Sequence, residues 1–75
     1  MWNVIEYGDF GSIVKEEYLY SSRAGHVTRD EEKWFCAEVT LKYAPYVDLK
    51  YFVSKRSAKS WCERMINKDV DKDAI

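Results

Sequence analysis

The residues from which sites and frameworks are usually built are scarce in this 75-residue chain: one histidine, one proline, two cysteines and three glycines. Cys36 and Cys62 are too few for the disulfide framework that holds small secreted domains together. Two buried free thiols are the expectation, and a single bridge between them is the other arrangement the sequence allows. A metal centre takes three or four ligands at close spacing, whereas His26, Cys36 and Cys62 stand singly and far apart, so no metal is expected. His26 lies in the polar stretch AGHVT and reads as a solvated loop residue. Cys62 reads as core packing, so no thiol has a base beside it to activate it. GDFG (8–11) is too short for a phosphate cradle, and no helix follows it. Glu16 and Glu17 are strand neighbours that point to opposite faces and cannot converge as an acid–base pair. They and the pair Glu31–Glu32 read as solvated charges. These shortages argue against an enzyme, and neither a catalytic residue nor a cofactor is expected.

Long apolar runs are also missing. None approaches the roughly 20 residues that cross a bilayer, so no membrane partner is expected. The opening MWNVIEYGDF has neither the basic start nor the apolar stretch of a signal peptide, and a cytoplasmic location is the expectation.

What the chain has in quantity is aromatic bulk and charge. Three Trp, six Tyr and three Phe stand beside 33% charged residues, an ordinary globular composition. A domain this small buries only about 60% of its unfolded surface, so each large ring matters to stability. Net charge is −1, but it is unevenly spread. Residues 1–40 carry eight carboxylates against four cations, a net of −4, and residues 41–75 carry eight cations against five carboxylates, a net of +3. Such a division steers partners rather than setting the fold.

Four strands are predicted. WNVIEY (2–7) stops at Gly8, and the glycines and aspartate of YGDFGS mark a tight turn. SIVKEEYLYS (12–21) follows, with imperfect alternation near Lys15–Glu17 that suggests a bulge. Residues 21–33, SSRAGHVTRDEEK, are polar and unpatterned and read as the longest loop. WFCAEVTLKY (34–43) alternates most clearly, placing Phe35, Ala37, Val39, Leu41 and Tyr43 on one face as core. After a turn at the only proline, VDLKYFV (47–53) sets Val47, Leu49, Tyr51 and Val53 opposite Asp48, Lys50 and Phe52.

FVSKRSAKSWCERMINKD (52–69) then raises the choice between a basic helix reaching for nucleic acid and a lid over a core. Ser54, or Ser57 one turn on, supplies an N-cap. Ala58, Trp61, Cys62, Met65 and Ile66 recur at helical spacing, a complete apolar stripe. The helix is a lid with a basic outer face. The expected fold is therefore α+β, an antiparallel meander of three or four strands with one C-terminal helix on one face. Residues 1–68 form the single domain, and 69–75 form a flexible tail.

One helix can cover one face of such a sheet, yet aromatic residues fall on both alternations. Tyr18, Tyr20 and Trp34 are predicted to lie on the uncovered face and, with Glu31 and Glu32 beside them, to make a protein-binding surface, because rings with a polar rim suit docking contacts. The alternative is nucleic-acid binding through Lys50, Arg56, Lys59 and Arg64, against which stands a pI of about 5.8. A homodimer through the same sheet face is compatible with either.

WFCAEV and the run KYFVSKRSAKSWCERMI resemble two groups of proteins. One is the small β-meander-plus-helix proteins of bacteriophages and mobile elements, which include host-takeover inhibitors and anti-CRISPR proteins. The other is the arm-type DNA-binding domain of tyrosine integrases. In both, an aromatic-x-Ser/Thr-Lys-x-x-Ala-x-x-Trp phrase joins the last strand to the helix, here Phe52, Ser54, Lys55, Ala58 and Trp61. The acidic first half departs from a DNA-binding arm. The resemblance thus implies a non-enzymatic inhibitor that docks on a host protein in the host cytoplasm and blocks it.

Overall fold

Five strands pair in chain order, β1 (Trp2–Tyr7), β2 (Ile13–Tyr20), β3 (Arg23–Arg29), β4 (Phe35–Thr40) and β5 (Val47–Phe52), every neighbouring pair antiparallel. They are followed by α1 (Lys55–Asp71), with 3-10 turns at Asp9–Gly11 and Lys72–Ala74. These positions come from a computed structural model, which describes residues 1–30 and 34–74. The α+β class and the C-terminal helix are as expected; the strand count is five rather than three or four.

The extra strand is β3, drawn from the stretch expected to be a loop, and it lies at the centre of the sheet. Its buried alternation is Arg23, Gly25 and Val27, only one of them a large apolar residue, so no hydrophobic pattern announces it. A two-residue hairpin of type I′ needs positive φ at both turn positions to match strand twist. Ser21 (φ 49) and Ser22 (φ 66) supply that without the usual Asn-Gly signal. Arg23 holds the turn closed by donating from Nη1 to the Ser21 carbonyl at 2.7 Å.

Residues opposite one another in an antiparallel pair share a face. Gly25 pairs with Val39, and Val27 with Ala37, all buried beneath α1. Ser54 caps the helix by accepting from Ser57 N. Ala58, Trp61, Cys62 and Ile66 form the buried stripe, which meets Val27, Ala37, Val39 and Leu41. Fully burying each large apolar side chain contributes about 1.5–3 kcal/mol. The approach is close because Gly25 has no side chain: a Cβ there would sit 3.1 Å from Cys62 Cβ and 3.3 Å from Ile66 Cδ1.

The chain end departs from the expected tail. The helix continues through Asp71, and Asp69 is buried, accepting from Arg23 Nε at 2.9 Å and from the backbone N–H of Lys42 at 2.8 Å. Asp73 accepts from both terminal nitrogens of Arg23 and from the Tyr43 hydroxyl. Carboxylates at a helix C-terminus oppose the helix dipole, and Arg23 offsets that with all its donors engaged.

Two charged residues expected to be solvated are built into the sheet. Glu16 is buried on the helix side, 2.7 Å from Lys59 Nζ. Lys55 Nζ lies 3.1 Å from its second oxygen, paired as a charge though not aligned as a hydrogen bond. His26 is a half-buried β3 residue rather than a loop residue, its Nε2 2.7 Å from Glu17 Oε2. Cys62 lies in the core, and burial, with Glu63 and Cys36 adding, pushes its thiol pKa up to about 12. Cys36 pairs with Thr28 and Tyr51 on the other side of the sheet, so the two cysteines are separate and free.

Candidate functional site

The helix covers β3, β4 and β5 on one side only. On the opposite side, strand pairing aligns three rows of side chains: Lys15–Thr28–Cys36–Tyr51, Glu17–His26–Glu38–Leu49, and Leu19–Ala24–Thr40–Val47. The third row and the β5 column are apolar apart from Thr40, and together they make an L-shaped patch around a charged corner. On β5, Val47, Leu49 and Tyr51 are 55%, 47% and 54% exposed, Val53 just beyond is 70% exposed, and Leu19 across the sheet is 61% exposed. The more apolar alternation of β5 thus faces away from the helix, and Asp48, Lys50 and Phe52 take the helix side. Between the arms of the L is a shallow concavity of about 400 Å³ whose lining includes Lys15, His26, Cys36, Glu38 and Tyr51.

Both sheet edges carry features that oppose a further strand. On β1, two register shifts between Val4 and Tyr7 break the ladder. On β5, the bond from Leu41 N to Tyr46 O sets the phase, so Asp48, Lys50 and Phe52 turn their backbone groups to β4. The outward N–H groups of Val47 and Leu49 are then taken by Pro45 O at 2.8 Å and by Asp48 Oδ1 at 2.9 Å. The uncommitted apolar surface is a face, not an edge.

The chemistry of the concavity is modest. His26 is held by Glu17, and the Tyr51 phenol is the group that faces Cys36. The neighbouring Cys36, with slight burial and Asp30 adding, raises the phenol pKa. Among the described residues no three His, Cys, Asp or Glu side chains are grouped so as to hold a metal ion. Among them too, no helix is long and apolar enough to cross a membrane.

No protein-family model, curated protein or solved structure matches this chain. Its surfaces must be read from their own geometry.

The residues expected to form the docking surface are dispersed. Tyr18 pairs with Gly25 and with Trp2, which places it on the helix side rather than the open face. Its ring is 5.4 Å from Trp2 and 6.4 Å from Tyr20. Trp2 in turn donates to Glu63 at 3.2 Å and lies under Lys59 at 5.3 Å. These rings extend the roof over β1 and β2, beyond the reach of one helix. Tyr20, also on the helix side, and Trp34, just before β4, remain about half exposed. Glu31 and Glu32 lie outside the described residues. The open-face residues that the sequence reading missed are Leu19, Val47, Leu49 and Tyr51; the apolar alternation of VDLKYFV was the signal for the last three.

The cations expected for nucleic acid also divide. Lys59 is spent on Glu16 and Trp2. Arg56 and Arg64 line a separate cleft of about 450 Å³ between α1 and β5, with Phe52, Ser57 and Ser60. Lys50 lies over the Phe52 ring at 5.5 Å, and that ring is 5.9 Å from Trp61.

Proposed function

We propose that this chain is a non-enzymatic docking protein that binds a larger protein through the helix-free face of its sheet and blocks the surface it covers. The observation that carries the reading is the exposed column Val47, Leu49 and Tyr51, continuous with Leu19, on the side of the sheet that the helix leaves bare. An apolar patch with a charged border is the anatomy of a docking surface. Blocking is the role implied by the resemblance to small phage-type inhibitors, and a host protein is the partner that resemblance implies. Nucleic-acid binding is the second reading, supported by Lys50, Arg56 and Arg64. It is weakened by the loss of Lys59 to an internal pair and by an exposed column that offers one ring, Tyr51, beside Val47 and Leu49 where stacking would need several.

The test is capture from lysate of the source cells with wild-type bait and with Leu49→Asp and Tyr51→Asp baits. The reading expects one stoichiometric protein on the wild type, lost from both variants while their circular dichroism stays unchanged. A captured protein that both variants retain would overturn it.

A further inference from the structure

The cations of α1 are unequally used. On the flank over β2, Lys55 and Lys59 are both committed to Glu16. On the flank beside β5, Arg56 and Arg64 have no carboxylate partner among the described residues, and neither has Lys50, which lies over the Phe52 ring that lines their cleft. Arg56 and Arg64 are eight residues apart, about 12 Å along the axis. Ser57 and Ser60 place two hydroxyls between them, and the Phe52 ring belongs to the same wall. Phe52 and Lys50 face the helix side of β5, where the cleft lies, and Val47, Leu49 and Tyr51 face the other, so the cleft and the apolar column lie on opposite sides of one strand.

We infer that the partner straddles β5, its apolar surface on Val47, Leu49 and Tyr51 and an acidic segment of the same protein in the cleft against Lys50, Arg56 and Arg64. The inference rests on the docking reading above and adds the chemistry of the occupant. Two observations favour an acidic protein segment over a phosphate chain. The row of cations is short, enough for two or three carboxylates, whereas nucleic-acid affinity comes from about 6–10 phosphate contacts. The adjoining surface is aliphatic. Extent points the same way: four strands about 4.8 Å apart and six residues of about 3.3 Å rise project only about 400 Å². A standard interface takes about 800 Å² from each partner, so a stable complex has reason to continue past the edge of the face.

The experiment uses defined probes with the whole chain. Amide and arginine side-chain resonances are followed by NMR at low salt during titration with a hexaglutamate peptide, and in parallel with a 20-nucleotide single strand and a 20-base-pair duplex. The expected result is saturable shifts at Arg56, Ser57, Ser60 and Arg64 with the peptide. They should weaken at least tenfold in the Arg56→Glu/Arg64→Glu variant, disappear at high salt, and be unchanged in Leu49→Asp. Both arginines are exposed, so the double variant should keep its fold, which its own spectrum verifies. Absence of peptide shifts in the cleft, or their survival in the double variant, overturns the inference. So does tighter binding of either nucleic acid at the same residues. Loss of capture by Leu49→Asp bait alongside an inert cleft would leave the face reading standing and remove only the acidic segment.

Discussion

Arg23 Nε and Asp69 Oδ2 meet at 2.9 Å with both side chains about 1% exposed, joining the β2–β3 turn to the last turn of the helix. Removing one member of such a pair is costly because the other is left charged and buried. Arg23→Met should therefore lower the melting temperature by roughly 10 °C or more for a domain of this size. Asp69→Asn should cost less, since an amide oxygen can still accept from Lys42 N. Thermal denaturation followed by circular dichroism checks both, and an Arg23→Met protein that melts with the wild type would remove Arg23 from its structural role.

The same cluster sets the acid limit of the fold. Burial would raise the Asp69 carboxyl, but the Arg23 guanidinium and the Lys42 and Tyr43 backbone N–H groups outweigh it and hold the pKa below the ordinary 3.8. Hydrogen bonds from Arg23 and Tyr43 hold Asp73 well below that value. Burial opposes ionisation of Glu16 too, and Lys59 and Lys55 outweigh it, keeping the group below 4.5. A depressed folded pKa contributes stability that is complete above the unfolded value and is lost as pH falls toward the folded one. Urea midpoints should accordingly be level above about pH 5 and decline steadily below about pH 4.5. In Asp69→Asn the decline should be shallower; an identical pH profile in that variant would show that Asp69 is not one of the groups responsible.

Gly25 tests the close approach of helix and sheet. A Cβ at that position must displace Cys62 and Ile66 by a few tenths of an ångström, and overpacking of this kind costs about 1–3 kcal/mol. Gly25→Ala should shift the urea midpoint down without changing its slope, while Leu49→Asp, on the exposed face, should stay within about 0.5 kcal/mol of wild type. If the two variants were equally stable, the helix could not be seated as closely as its contacts require.

What could be read from the sequence follows the strength of its hydrophobic patterns. α1 and β4 were legible because their buried positions are almost all apolar: Ala58, Trp61, Cys62 and Ile66 on one, Phe35, Ala37 and Val39 on the other. β3 was not, because its inward positions are an arginine that is neutralised 46 residues away, a glycine chosen for what it lacks, and a single valine. Glu16 and Asp69 were unreadable for the same reason, since a buried charge is recognisable only with its partner. The open face was only partly legible. The sequence reading places surplus rings, Tyr18 and Tyr20 among them, on an uncovered side, but Trp2, Tyr18 and Tyr20 serve as roof over β1 and β2, and the exposed apolar residues of the open side lie mainly on β5.

The two thiols report on opposite sides of the sheet, and their reactivities should separate accordingly. Cys62 is fully buried, and its raised pKa leaves almost no thiolate near neutrality. Cys36 is half-buried on the open face, beside Tyr51. Iodoacetamide at pH 8 should alkylate Cys36 first, one equivalent per chain by mass spectrometry, with Cys62 following only as fast as the domain opens. Cys62 labelling should then accelerate in Arg23→Met, which loosens the fold, whereas Cys36 labelling should not. A partner seated on the open face should slow Cys36 and leave Cys62 unchanged. Protection of Cys62 with Cys36 still freely labelled would place the partner away from this face, whatever its affinity.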